Sequence, residues 1–154
     1  MKIQIIAILI FLFGCKAAEN ISKEEINASI KEKIEAQNYT FKPTTAIPMG
    51  GKSINLDYSY SLKVSKDTIK SYLPYFGRAY VAPSPTDEGG IKFTSTKFEY
   101  SISEKKKDMW HVNISTSDQS PKYTLRLDIG SSGYATLSAQ DNNRQMITFY
   151  GKIE

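Results

Sequence analysis

The feature that most constrains this sequence is a series of five segments in its second half in which apolar and polar residues alternate. The apolar positions of these segments are Phe98, Tyr100 and Ile102; Trp110, Val112 and Ile114; Tyr123, Leu125, Leu127 and Ile129; Ala135, Leu137 and Ala139; and Ile147, Phe149, Gly151 and Ile153. A period of two puts every second side chain on one face, so each segment is predicted to be a strand with one buried face. Short polar turns separate the segments and force neighbouring strands to run antiparallel. The second half is therefore predicted to be an antiparallel meander.

The clearest single strand signal lies earlier in the chain, over residues 53–65. Its apolar face is formed by Ile54, Leu56, Tyr58, Tyr60, Leu62 and Val64. At about 3.3 Å per residue this run is long for one straight strand, so a bend or a bulge is predicted within it. Residues 67–73 are predicted to form a short helix that Pro74 ends, because Ile69 and Tyr72 share a helical face.

An N-terminal helix is predicted from capping and periodicity signals. Ser22 and Glu25 have the spacing of a capping box, in which each side chain bonds a backbone N–H group of the first turn. Ile26, Ile30 and Ile34 then recur every four residues between charged residues, which makes one narrow apolar stripe. We expect this stripe to pack on the sheet rather than on a membrane or a partner helix.

These elements predict an α+β fold with one domain. The amphipathic helix packs on a twisted antiparallel meander sheet of about six or seven strands. The alternative is a small, closed, lipocalin-like barrel that the helix plugs. A chain of 154 residues has the length of one domain.

The N-terminus has the layout of a secretory signal peptide. Lys2 provides a positive start, and the uncharged run Ile3–Phe13 is 11 residues long, well short of the roughly 20 that span a bilayer. The run ends in Leu12-Phe13-Gly14-Cys15, which resembles the bacterial lipobox, although Phe13 is bulkier than the usual residue at its position. The resemblance implies cleavage after Gly14 and acylation of Cys15.

This interpretation divides the chain into a signal peptide (residues 1–14), a lipidated tether (15–21) and a single globular domain (22–154). It predicts export and lipid anchoring to a cell-envelope membrane, the outer membrane by expectation, with the domain in the periplasm or at the cell surface. Cys15 is the only cysteine, which excludes a disulfide and a cysteine metal site. The net charge of +4 is spread along the sequence, so no nucleic-acid partner is expected.

The block Leu73-Pro74-Tyr75-Phe76-Gly77-Arg78-Ala79-Tyr80 carries a resemblance to a known family. Further matching features are Gly89–Phe93, the strand around Trp110, and the closing run from Asn143-Arg144 to Tyr150–Ile153. The chain resembles domain-of-unknown-function family 4251, which comprises lipoprotein-like secreted proteins of Gram-negative bacteria. The resemblance covers the chain from about Ile34 to the C-terminus. It implies a single mixed domain and export, and it implies no activity.

The same block contains the candidate ligand-binding residues. In a functional interpretation, Tyr75, Phe76 and Tyr80 form a shelf on which a ligand stacks, and Arg78 pairs with an anionic group. In a structural interpretation, the block closes one end of the sheet and Arg78 caps backbone carbonyls. The sequence leaves both interpretations open.

No other motif points to a specific chemistry. The single histidine, His111, is predicted on the polar face of its strand, where solvation is the ordinary outcome. Lys105-Lys106-Lys107 occupies a hairpin tip, which is either solvated or in contact with anionic lipid or glycan. Asp87 and Glu88 offer only two adjacent carboxylates, a weak basis for a calcium site. No catalytic residue, metal or cofactor is predicted.

The function predicted from sequence is a membrane-anchored, non-enzymatic binding or interaction module for an envelope protein, a glycan or a small ligand. A structural envelope or assembly component is the second candidate, and an enzyme is the third. A cavity lined by aromatic residues favours the first, and a flat exposed apolar sheet face favours the second. A buried set of carboxylates converging on His111 favours the third.

Overall fold

The protein is described by a computed structural model that covers residues 14–81 and 89–154. Within these ranges one helix, α1 (Gly14–Glu35), precedes ten strands. The strands are β1 (Tyr39–Pro48), β2 (Ile54–Asn55), β3 (Ser61–Val64), β4 (Ile69–Leu73), β5 (Ile91–Ser95), β6 (Phe98–Lys106), β7 (Met109–Thr116), β8 (Tyr123–Gly130), β9 (Tyr134–Asp141) and β10 (Arg144–Ile153). The predicted α+β class is confirmed, and the strand count exceeds the predicted six or seven. Among the described residues, no helix has both the length and the apolar content that crossing a bilayer requires.

All ten strands belong to one antiparallel sheet that is nearly closed and barrel-like. The strand order is β5-β4-β3-β1-β10-β9-β8-β7-β6, and β2 pairs with β1 outside this path. The two edge strands, β5 and β6, follow each other in the chain and are joined by Thr96 and Lys97 alone. The ends of the sheet therefore meet at this corner. This architecture agrees with the barrel-like alternative from the sequence.

The corner between the edge strands is fastened by the carboxylate of Asp118, from the loop between β7 and β8. It accepts hydrogen bonds from the backbone N–H of Thr96 at 2.8 Å and of Lys97 at 3.1 Å, and from the Ser95 hydroxyl. From the same loop, the Ser117 N–H donates to the Lys97 carbonyl at 2.8 Å. Backbone groups that an open sheet corner would leave unpaired are thereby satisfied.

Asp118→Asn is expected to flatten the loss of stability in acid. Hydrogen bonds from Ser95 and Thr96 hold the pKa of the Asp118 carboxyl well below its ordinary value. Such a carboxyl stabilises the fold above its unfolded pKa of about 3.9, and this contribution is lost as the pH falls below that value. In thermal melts, wild type should start higher at neutral pH and lose more of its Tm below about pH 4 than Asp118→Asn. The control is Asp67→Asn in the exposed β3–β4 turn. If the Tm of Asp118→Asn fell as steeply below about pH 4 as the Tm of wild type, the stabilising role of the Asp118 carboxylate would be contradicted.

Helix α1 closes one end of the barrel with the C-terminal part of its apolar stripe. Ile30 and Ile34 are buried in the main core, whereas Ile26 remains 46% exposed. The Tyr100 hydroxyl donates to the Ile34 carbonyl at 3.0 Å, which satisfies a backbone acceptor of the last helical turn. The Asn27 side-chain amide donates to Asp108 in the β6–β7 hairpin at 2.8 Å. The predicted packing of the helix on the sheet is confirmed.

The helix already includes Gly14, the first residue that the structure describes, eight residues before the predicted cap at Ser22. The capping-box prediction was therefore wrong. The segment before Ser22 contains Ala17, Ala18 and Glu19, which have high helix propensity, so the helix continues through the capping signal.

Two sequence predictions between residues 53 and 73 are corrected. The long run over residues 53–65 is divided into β2 and β3 by a turn in which the Asp57 carboxylate accepts the Ser59 N–H at 2.8 Å. Tyr58 in this turn is 87% exposed rather than inward. Residues 69–73, predicted as helix, form β4 between β3 and β5, because alternation buries Ile69, Ser71 and Leu73.

Strand β1 was not predicted, and it occupies the centre of the sheet between β3 and β10. It carries two prolines, and its register with β10 shifts between Pro43 and Thr45. At the same place, a Cβ on Gly151 would overlap the carbonyl oxygen of Lys42. The close approach of β1 and β10 therefore requires glycine at position 151.

Candidate ligand-binding site

Three segments that carry the family resemblance meet at the end of the barrel opposite α1. They are the block Leu73–Tyr80, the segment Gly89–Phe93 at the start of β5, and the pair Asn143-Arg144 at the start of β10. Ala79 forms an isolated β-bridge with Arg144, and the Tyr80 N–H donates to the Asn143 carbonyl at 2.7 Å. The chain thus brings sequence-distant segments to one place.

The block Leu73–Tyr80 is fixed to β10 by Tyr75. The Tyr75 hydroxyl lies 2.9 Å from the Arg78 carbonyl and 3.0 Å from the Gln145 carbonyl, and its single proton is shared between these two acceptors. Burial raises the pKa of this hydroxyl, although the neighbouring Arg144 guanidinium acts in the opposite direction. Tyr75 therefore remains a protonated donor. This anchoring agrees with the structural interpretation of the block, except that the fastening group is Tyr75 and not Arg78.

Arg144 is the central charged group of this end. Its Nε donates to the Asp141 carboxylate at 2.8 Å, one terminal nitrogen donates to the Gly90 carbonyl, and the other donates to the Tyr123 hydroxyl at 3.0 Å. Its guanidinium also lies 5.0 Å from the centre of the Tyr75 ring, within cation–π distance. The side chains of Arg144 and Asp141 are only 12% and 2% exposed. One arginine therefore joins β10, β9, β8 and the start of β5.

Gly90 allows this convergence through its backbone. Its φ of +88° is disfavoured for residues with side chains, and a Cβ at this position would lie 2.6 Å from the Leu73 carbonyl oxygen. The carbonyl of Gly90 is then free to point at Arg144.

A cavity of about 450 Å³ opens beside Arg144. Its volume lies within the range of small-molecule sites in proteins, about 300–1,000 Å³. The aromatic part of its wall comes from Tyr75 and from the stacked rings of Phe93 and Tyr123, whose centres are 4.4 Å apart. The polar part comes from Arg144, Lys92, Gln119, Ser120 and Asn143.

The four residues predicted as a ligand shelf do not share this cavity. Tyr75 lines it, and Phe76 packs against the hydrophobic core. Arg78 is exposed, and its side chain forms no ion pair or hydrogen bond with any residue that the structure describes. Tyr80 is 65% exposed and borders a neighbouring depression. Sequence reasoning missed Arg144, although it stands in the Asn143-Arg144 segment that contributes to the family resemblance.

The other candidate residues lie away from the cavity. His111 is on the outer sheet face, where its Nδ1 lies 2.7 Å from the Asp128 carboxylate of the neighbouring strand. The hairpin tip at Lys107 is next to α1, and Asp87 and Glu88 lie outside the described residues. Over residues 14–81 and 89–154, no three His, Cys, Asp or Glu side chains are grouped so that they could hold a metal ion.

The fold and the cavity define a class: a small antiparallel barrel with a helix packed on one end and a polar, aromatic pocket at the other. Within this class, the chain belongs to the family Domain of unknown function (DUF4251), whose model matches residues 22–153. A crystal structure of a DUF4251 family protein from Bacteroides eggerthii DSM 20697 has the same fold, with a TM-score of 0.66. The two chains are 15% identical, and the match covers 83% of this chain and 86% of the other. No curated protein matches the chain.

Proposed function

We propose that this chain is an exported, lipid-anchored binding module that holds a small ring-containing anion in the cavity beside Arg144. The observation that carries the proposal is the cavity itself. It combines three aromatic rings with a largely buried guanidinium in about 450 Å³. Its wall is more polar than apolar, and it pairs aromatic rings with fixed polar groups of the kind that orient small organic ligands in proteins.

The aromatic rings of the cavity favour a ligand that is flat or cyclic. Phe93 and Tyr123 stack with an interplanar angle of 12°, and both rings contribute to the wall. The centre of the Tyr75 ring lies 5.0 Å from the Arg144 guanidinium, and the ring is held by its hydroxyl. Fixed rings of this kind bind a second ring at a low cost in conformational entropy.

The positive charge of the cavity favours a ligand that carries an anionic group. A guanidinium has five N–H donors, and Arg144 uses three of them on Asp141, Gly90 and Tyr123. Among the residues that the structure describes, one N–H on each terminal nitrogen has no acceptor and is left for a ligand oxygen. N–H donors of a guanidinium favour a carboxylate or a phosphate over a neutral group.

The binding proposal is tested by filling the cavity. Ala79 lines it and has an exposed side chain, so Ala79→Trp should occupy the space without entering the core. We expect 4-hydroxybenzoate to bind wild type in ligand-observed NMR and to bind Ala79→Trp at least about tenfold more weakly, a loss of about 1.4 kcal/mol. Arg78→Ala is the control, because it changes a cation outside the cavity. Equal binding to wild type and Ala79→Trp would refute the proposal.

The arrangement of the other residues supports binding over catalysis or a purely structural role. His111 and Asp128 form a pair on the open outer face, where their side chains are 23% and 46% exposed, and not in the cavity. From β6 to β9, the row across this face is Ser103, His111, Asp128 and Thr136, which are polar. This part of the sheet is therefore not the flat apolar face that a structural assembly component would present.

The anchoring part of the proposal depends on Cys15. Cys15→Ser is expected to abolish acylation and to move the domain from the membrane fraction to the soluble fraction, because acyl chains contribute about 0.8 kcal/mol per buried CH₂ group. Metabolic labelling with a fatty-acid analogue, followed by fractionation, measures both effects. Labelled Cys15→Ser protein in the membrane pellet would show that the lipobox interpretation is wrong.

A further inference from the structure

The fold gathers positive charge that the sequence shows as dispersed. Five adjacent strands, in the order β5-β4-β3-β1-β10, each carry one lysine on the outer face of the sheet. These lysines are Lys92, Lys70, Lys63, Lys42 and Lys152. None of the five strands contains an aspartate or a glutamate. We call this set of five lysines the basic face.

Two pairs of these lysines stand directly opposite each other. Lys63 on β3 is in register with Lys70 on β4, and Lys42 on β1 is in register with Lys152 on β10. Like charges at such positions destabilise a sheet. Within the described part of the chain, none of these four ammonium groups has a carboxylate within ion-pair distance. The fold itself gains nothing from these pairs, and an external anion would relieve their repulsion.

The basic face is too broad for one small anion and suits an extended anionic surface. Five adjacent strands at about 4.8 Å spacing spread the lysines over roughly 20 Å, measured around the curved wall of the barrel. Two exposed tyrosines lie among them, with the Lys92 ammonium 4.9 Å from the centre of the Tyr72 ring and the Lys152 ammonium 5.5 Å from that of Tyr134. Lysine together with tyrosine is the composition of protein surfaces at the headgroup level of a bilayer.

The position of the basic face agrees with such a surface. Lys42 is near the start of β1, which begins shortly after α1 ends, and Lys152 is near the end of β10. Tyr134 begins β9, directly after Gly133, where an added Cβ would contact Ile30 of α1. Lys42 and Lys152 thus lie toward the end of the barrel where α1 packs, whereas Lys92 borders the ligand cavity.

We infer that the basic face docks on the anionic headgroups of a lipid bilayer. The inference goes beyond the ligand cavity and does not depend on acylation of Cys15. In an acylated chain it would add a second attachment to the membrane and hold the barrel close to the bilayer, since juxtamembrane lysines attract anionic headgroups within a Debye length.

The test uses the full mature chain with Cys15→Ser, so that acyl chains cannot contribute, and follows co-sedimentation with vesicles. We expect binding to vesicles of phosphatidylglycerol and phosphatidylcholine, no binding to pure phosphatidylcholine, and loss of binding at about 1 M salt. Lys63→Gln with Lys70→Gln should weaken the partition about 25-fold, since each lysine near an anionic bilayer contributes about fivefold. The Tm of this double variant should be no lower than that of the Cys15→Ser chain, because the repulsion between Lys63 and Lys70 is removed.

The control removes the same charge from the opposite side of the barrel. Lys122→Gln with Arg126→Gln lies just before β8 and on it, separated from β3 by β1, β10 and β9, and it should change the partition by less than about twofold. Equal losses in the two double variants would mean that net charge alone drives binding, and would overturn the inference. Binding to an acidic polysaccharide without binding to anionic vesicles would also overturn it.

Discussion

Arg144→Met is expected to lower the free energy of unfolding by about 3–5 kcal/mol, because it leaves the buried Asp141 carboxylate without its cation. The Asp141 side chain is only 2% exposed, so water cannot replace the guanidinium. The same change removes the donors to the Gly90 carbonyl and to the Tyr123 hydroxyl. Urea unfolding can be followed by the fluorescence of Trp110, the only tryptophan, which is 6% exposed.

Two further variants distinguish the loss of the Arg144–Asp141 ion pair from a general loss of positive charge. Arg78→Ala removes an exposed arginine from the same end of the barrel and should change stability by less than about 0.5 kcal/mol. Adding Asp141→Asn to Arg144→Met should recover part of the loss, because the unpaired charge is then gone. Similar losses for Arg78→Ala and Arg144→Met would contradict the fastening role of Arg144.

Ile34→Ala is expected to cost about 2–5 kcal/mol, the range for truncating a fully buried isoleucine. Ile34 has no exposed surface, and it is part of the main core with Phe41 and Phe149. Ile26→Ala, in the same helix, should cost well under about 1 kcal/mol because Ile26 is 46% exposed. The substitution is identical in both, so the helix propensity gained from alanine cancels in the comparison. Equal unfolding midpoints would mean that α1 is a tether and not part of the barrel.

Elements whose side chains alternate between core and solvent could be predicted from the sequence. The five segments from Phe98 to Ile153 form β6 to β10 with the predicted alternation, except that Ile102 in β6 is 39% exposed. Two elements could not be predicted in this way. Residues 69–73 are short, and a run with Ile69, Tyr72 and Leu73 fits a helix as well as a strand, so tertiary pairing decided its structure. Strand β1 carries Pro43 at a register shift, which interrupts the pattern that alternation requires.

The site was only partly predictable because its residues meet through the fold. The sequence indicated the block around Tyr75, and Tyr75 does line the cavity. It did not indicate which arginine would be buried, since both Arg78 and Arg144 stand beside turn or loop residues. The two arginines differ only in the folded chain, where Ala79 forms a β-bridge with Arg144 and the Arg144 side chain donates to Asp141 and Gly90.

The most direct test of the proposed binding role is native mass spectrometry of the acylated chain, extracted in detergent from its own membranes. The account predicts that wild type carries a noncovalently bound small anion, and that Ala79→Trp, prepared in parallel, carries none. A molecule that fits about 450 Å³ would have a mass of a few hundred daltons. Wild type without such a molecule, or the same molecule on Ala79→Trp, would contradict the account.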